Sequence, residues 1–118
     1  MIENQPSPYR VLIVDDTPSV REALRLVFEN EEDMDVVGEA VNGADALRLA
    51  KDVQPDFILL DYWLPDTTGT ALLRELQVCA PGALTVMLTV ESGTQFRREA
   101  LANGAAAYVL KTTPTADL

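Results

Sequence analysis

An α/β domain built on a parallel β-sheet is the fold class this sequence predicts, and three observations predict it. Short apolar, β-branched runs alternate with stretches whose apolar residues recur at helical spacing. The run DFILLD (56–61) is apolar on both faces, as a strand covered by helices on each side must be. Five such strands with four helices between them imply βαβ units, right-handed crossovers and a helix–sheet–helix sandwich.

The elements follow in order. RVLIVDD (10–16) is a strand ending on two acids, and the stretch after it places Val20, Ala23, Leu24, Val27 and Phe28 on one helical stripe. Thr17 is the expected N-cap of that helix, with Pro18 at its first position. MDVVGEA (34–40) is the second strand. NGADALRLAKD (42–52) is a helix opened by Asn42 and closed before Pro55, which cannot continue it. DFILLD is the third strand, and TALLRELQVCA (70–80) a helix that stops at Pro81 and Gly82. ALTVMLT (83–89) is the fourth strand, TQFRREALANG (94–104) a helix with Gly104 at its C-terminal end, and AAAYVLK (105–111) the fifth strand.

In open parallel sheets, ligands bind outside the carboxyl ends of the strands. Standing there are Asp15 and Asp16 after the first strand, Asp61 after the third, Thr89 after the fourth and Lys111 after the fifth. Each has a plain structural reading. Asp15 and Asp16 precede a helix, where carboxylates cap and favour the dipole, and Asp61 opens a turn containing Pro65 and Gly69. Thr89 suits a strand, Lys111 a solvated position and Tyr108 a strand edge. The conjunction of chemically compatible groups at one sheet edge favours a site. Three carboxylates from two strand ends repel one another unless a cation or protons join them, and magnesium needs only one or two carboxylates plus a phosphate. Asp61 could then attack a phosphoryl group as a nucleophile, while Lys111 and Thr89 bind its oxygens.

Composition narrows the chemistry. The 118 residues carry a formal charge of −10 and no histidine, so imidazole is excluded as base, nucleophile or ligand. The acidic balance disfavours direct nucleic-acid binding by this segment and suits a divalent cation. Cys79 is the single cysteine, which excludes an internal disulfide and fits a reducing cytoplasm. No stretch approaches the roughly 20 apolar residues of a membrane span, and the polar MIENQPSPYR lacks the apolar core of a secretory signal. A soluble, cytoplasmic domain without membrane contact is expected.

From Tyr9 to about Lys111 the chain resembles the receiver domain of a two-component response regulator. The likeness rests on VLIVDD, on LLDYWLPDTTG with Pro four and Gly eight residues after the acid, on VMLT and on AYVLK. MDVVGEAVNGADALRLA and GAAAYVLKTT are similar to the NarL/LuxR-type group, whose receivers precede a helix-turn-helix DNA-binding domain. The resemblance implies a flavodoxin-like fold with strand order 2-1-3-4-5, and one receiver domain over residues 1–118 with residues 1–8 as an N-terminal tail. It implies Asp61 as phosphoacceptor and Asp15 and Asp16 as the pair holding magnesium, or manganese in its place, with Asp16 the more direct. The backbone carbonyl of Trp63 would be a further ligand. Thr89 is similar to the family's switch hydroxyl, Tyr108 to the aromatic that turns with it, and Lys111 to the phosphoryl-binding lysine. The donor would be a phosphohistidine on a sensor histidine kinase, and DNA binding would belong to an output domain outside this segment.

Three positions depart from the commonest pattern. Thr112 follows Lys111 where many receivers have proline, so a trans bond is expected, a cis one costing about 3 kcal/mol. Trp63 and Glu91 lie two residues after Asp61 and Thr89, and by resemblance flank the path of the water that attacks the phosphoryl group. They are expected to tune its lifetime, Trp63 by hindering that water and Glu91 by disfavouring anionic small-molecule donors; alternatively, Trp63 merely covers apolar surface. The pattern also leads to a fifth helix after TTPTADL, yet the sequence ends at Leu118. The expectation is a piece of a longer protein with apolar surface uncovered on strand five and the first helix, which dimerises, swaps elements or is marginally stable. Among rivals, a haloacid-dehalogenase-type phosphatase would want an acid where Trp63 stands. A flavin carrier would want a hydroxyl- and glycine-rich loop in place of DDTPSVRE. A pseudo-receiver, which keeps the fold and works without phosphate, remains open.

Overall fold

Five parallel strands in the order β2-β1-β3-β4-β5 form the sheet of the computed structural model, which describes residues 8–111. The N-terminal tail through residue 7, the start of any fifth helix and the Lys111–Thr112 peptide lie outside the described residues. The strands are β1 (Tyr9–Val14), β2 (Met34–Ala40), β3 (Phe57–Leu60), β4 (Leu84–Thr89) and β5 (Ala107–Leu110). Between them run α1 (Pro18–Glu29), α2 (Gly43–Val53), α3 (Gly69–Cys79) and α4 (Thr94–Ala102). The flavodoxin-like order and every element of the sequence reading are present, and Asn42 caps α2 as expected, its side chain accepting from the Asp45 N–H at 2.8 Å.

Alternation along the strands divides the core between two faces. Leu12, Val14, Ile58, Leu60 and Met87 pack with Leu72, Leu73, Leu76 and the alanines of α2 and α4, whereas Val11, Ile13 and Leu88 meet Leu24 and Phe28 of α1. Burying each Leu or Ile side chain this fully contributes about 1.5–3 kcal/mol relative to exposure. Among the described residues, α1 alone covers the second face. Beside it runs an open groove of about 490 Å³, lined by Val27, Phe28, Phe57, Val86 and Val109 among others. Its lining takes in the first helix and one residue of strand five, Val109, where uncovered apolar surface is expected, but most of its strand residues belong to β1, β3 and β4.

Three helix ends show why the chain turns where it does. Gln54, the C-cap of α2, is the one described non-glycine residue with positive φ (46°). Its side-chain amide donates to the Cys79 carbonyl at 2.7 Å, which offsets the backbone strain of turning before Pro55. Gly104 has φ 105°, a backbone conformation that L side chains rarely adopt, which favours glycine after α4. At α1 the expected cap residue, Thr17, is in place at the N-cap position, but its side chain makes no cap bond. Asp15 instead accepts the Thr17 N–H at 2.9 Å on Oδ1, an Asx turn that leads into the proline.

Register decides where the carboxyl ends meet. Val14 is level with both Ala40 and Leu60, and Thr89 with Leu110. The ladder continues one residue further: the Asp15 N–H donates to Ala40 O at 3.1 Å, Asp61 N–H to Val14 O at 3.0 Å and Lys111 N–H to Thr89 O at 2.8 Å. The three charged residues are therefore fixed to the sheet by their main chains, while their side chains stand at its edge.

Candidate functional site

Asp15, Asp16 and Asp61 each bring a carboxylate oxygen within 4.8 Å of the others. Asp15 and Asp61 are buried, at 3% and 7% exposure, and Asp16 is exposed. Two backbone donors fix the buried pair: the Thr17 N–H on Asp15 Oδ1, and the Tyr62 N–H on Asp61 Oδ1 at 2.8 Å. Lys111 spans the other two oxygens, its Nζ lying 2.7 Å from Asp15 Oδ2 and 3.3 Å from Asp61 Oδ2.

The distances say which carboxylate the lysine serves, and the electrostatics agree. Burial raises the Asp61 carboxyl above its ordinary value, the Asp15 charge raises it further, and Lys111 and the Tyr62 N–H only partly oppose them. Burial works to lower the Lys111 ammonium, but its hydrogen bond and charge interaction with Asp15, then Asp61, outweigh that and hold it above its usual range. Lys111 thus pairs principally with Asp15. Of the two buried carboxylates, Asp61 is left as the one whose charge is less compensated, which suits a group that gains by receiving a cation or by reacting. The donor set fits magnesium or manganese: hard oxygen ligands, two of them held in place by backbone N–H groups.

The remaining residues of the sequence reading form a second cluster around Glu91. Thr89 is fully buried, and its Oγ1 accepts the Glu91 N–H at 3.3 Å. Tyr108, half-buried, donates its hydroxyl to the Glu91 carbonyl at 2.6 Å. Trp63 is 50% exposed, packs edge-on against Tyr62 and donates its indole N–H to Glu91 Oε1 at 2.6 Å. One residue thus ties the loop after β3, the loop after β4 and strand β5 together. Trp63 and Glu91, read separately in the sequence, are hydrogen-bonded partners. The Trp63 main chain bridges to Thr68 across the turn.

Sequence reasoning missed two polar contacts here. The Asp66 carboxylate accepts the Gly43 and Ala44 N–H groups at 2.7 and 3.1 Å, clamping the Asp61 loop to the start of α2. These bonds lower its pKa. An acid within Pro65–Gly69 signals a turn, but not which helix end it will meet. The second is Arg21, whose guanidinium donates to the Asp15 carbonyl at 2.8 Å. Among the described residues, no helix is long and apolar enough to cross a membrane.

Sheet order and pocket define a flavodoxin-like α/β domain with an acidic, lysine-bridged site at the carboxyl edge. The chain belongs to the response regulator receiver domain family, whose profile matches residues 11–118. Curated relatives include the uncharacterized transcriptional regulatory protein YxjL of Bacillus subtilis, 38% identical over 104 residues, which are 88% of this chain and 48% of that protein. The chain spans about half the length of the curated relatives it matches. Among solved structures, the receiver domain of the putative response regulator NarL of Mycobacterium tuberculosis is 31% identical with a TM-score of 0.89, over 94% of this chain and 90% of that one. A response regulator of Burkholderia pseudomallei, solved with a phosphorylated aspartic acid and a calcium ion, is 26% identical with a TM-score of 0.84, over 92% and 63%.

Proposed function

We propose that this chain is a phosphorylation-controlled switch in which Asp61 accepts a phosphoryl group from the phosphohistidine of a sensor histidine kinase. A carboxylate oxygen of Asp61 forms the new P–O bond as the P–N bond breaks, and the departing imidazole nitrogen keeps the electron pair and takes up a proton. The observation that carries this reading is the Asp61 carboxylate, buried, preorganised by the Tyr62 N–H and poorly neutralised, beside Asp15, Asp16 and Lys111. The aspartyl phosphate recorded in the Burkholderia relative is consistent with it. Magnesium, or manganese, held by Asp15, Asp16, Asp61 and the Trp63 carbonyl would offset the charge of the transferring phosphoryl group. Lys111 can exchange its bond to Asp61 for one to a phosphoryl oxygen without leaving Asp15. In this reading the chain is a phosphoacceptor that assists its own phosphorylation and dephosphorylation.

Phosphorylation replaces the single negative charge of the Asp61 carboxylate with a phosphoryl group of about −2 and brings new acceptor oxygens beside Thr89. When the Thr89 hydroxyl turns to that new acceptor, the Glu91 N–H loses its partner, which loosens the carbonyl held by Tyr108. The face of α4 and β5 would then change its affinity for a partner, a population shift that regulates a helix-turn-helix output domain in the same polypeptide. Residues 1–118 would belong to the receiver domain, with residues 1–8 as its N-terminal tail, reside in the cytoplasm and leave DNA contact to that output domain. The apolar groove beside α1 is consistent with self-association, as a homodimer or domain-swapped oligomer. Incubation with a phosphorylated histidine kinase tests the reading: transfer with magnesium and none with EDTA is expected, and transfer independent of a divalent cation contradicts it.

Trp63 and Glu91 should control phosphoryl lifetime as a unit because they share a hydrogen bond. Glu91→Ala removes a negative charge near the entering donor, worth on the order of 1 kcal/mol, so autophosphorylation by acetyl phosphate should rise about fivefold. Dephosphorylation rates of Trp63→Ala, Glu91→Ala and the double variant should be non-additive; additive rates would show that the bond carries no coupling.

A further inference from the structure

We infer that Arg21 is a positioning residue for Asp16: its guanidinium fixes the Asp15–Asp16 peptide, and Glu39 keeps that guanidinium from the carboxylates. The inference rests on reading the acidic trio as a divalent-cation site.

Every polar group of Asp15 is engaged. Its N–H meets Ala40 O, Oδ1 the Thr17 N–H, Oδ2 the Lys111 ammonium, and its carbonyl the Arg21 guanidinium at 2.8 Å. Asp16, by contrast, is exposed, and its carboxylate makes no hydrogen bond among the described residues. Its placement therefore depends on the peptide plane that precedes it, and the Asp15 carbonyl is half of that plane. Among the described residues, Arg21 is the one side chain that donates to that carbonyl.

Arg21 is itself held. Its side chain is 17% exposed, with Nε 3.5 Å from Glu39 Oε1, and Arg25 Nη1 lies 3.4 Å from Glu39 Oε2. Glu39 sits in β2 opposite Ile13, two residues before Asp15, so strand pairing delivers the anchor to the turn. An untethered guanidinium so close to three carboxylates would compete with a cation for them. Paired with Glu39, it spends its charge on the far side and presents a single N–H to the carbonyl.

The sign of one substitution separates positioning from charge. Arg21→Met keeps the length and helix propensity but removes the donors and the positive charge. Electrostatics alone makes it bind a dication more tightly, whereas loss of positioning makes it bind about 10-fold more weakly, as outer-shell replacements at metal sites do. Arg21→Lys can still reach the carbonyl and should recover most of the affinity. The measurement is calorimetric titration of the full chain with magnesium chloride, beside a thermal melt of each variant. If methionine unfolds the chain, Arg21→Gln, neutral and too short to reach the carbonyl, repeats the sign test. Binding by either neutral variant as tight as or tighter than the wild type overturns the inference while leaving the metal site standing. A wild type that takes up no magnesium overturns the metal reading and this inference with it.

Discussion

Asp61→Asn should give a metal-free domain that is more stable than the wild type at neutral pH and takes up no phosphoryl group. The carboxyl of Asp61 is raised first by burial and then by Asp15, so its ionised form is disfavoured in the fold. The folded chain then holds that proton more firmly than the unfolded chain, and stability falls as pH rises from the ordinary value of 3.8 through the raised one. Asparagine removes the charge and keeps an acceptor for the Tyr62 N–H. In EDTA at pH 7 the variant should gain on the order of 1 kcal/mol, about 4 °C in melting temperature, and the two melting curves should converge at acid pH. Saturating magnesium should reverse the order, since ligand at ten times its Kd contributes about 1.4 kcal/mol to the protein that binds it. A variant less stable than the wild type in EDTA at neutral pH would mean that the Lys111 pairing outweighs burial and repulsion.

Gly69→Ala should be among the most damaging single substitutions in the loop. A Cβ there would lie 2.3 Å from the Asp61 carbonyl oxygen and 2.9 Å from Met87 Cε, against backbone that cannot step aside. The Gly69 N–H also donates to Tyr62 O at 2.6 Å, so the loop doubles back onto the end of β3 with no room for a side chain. Overpacking of this kind costs about 3 kcal/mol, roughly 10–15 °C in melting temperature, and displaces the peptide that orients Asp61. Gly82→Ala is the control, because a Cβ at that position meets nothing within 4 Å. If Gly69→Ala melts within about 2 °C of Gly82→Ala, the close approach does not hold the site together.

The spacing of Gly69 from Asp61 was legible in the sequence as a motif, but its cause is this contact, which no linear pattern contains. What pattern does contain is the sheet edge. Two-fold alternation and the caps between helical stripes place Asp15, Asp61, Thr89 and Lys111 at strand ends, and parallel register then makes them neighbours. Polar reach was harder to read. Thr17 is the N-cap of α1 as the pattern predicts, but its side chain makes no cap bond and its own N–H is taken by Asp15, because one carboxylate can serve a turn N–H and Lys111 together. The Trp63–Glu91 bond, the Asp66 clamp and the Arg21 brace each join segments more than a turn apart through the last atoms of a side chain. Periodicity assigns such residues a face, and only packing decides which group each one meets.

The most direct test of Asp61 as phosphoacceptor is to find the modified residue. After transfer from a phosphorylated kinase in magnesium, borohydride reduction converts an aspartyl phosphate to homoserine, which peptide mass spectrometry can place. Homoserine at position 61 alone, and at no position in Asp61→Asn, is the predicted result. Modification at any other residue, or none in a folded chain that binds magnesium, would contradict it, and the latter would make the domain a pseudo-receiver.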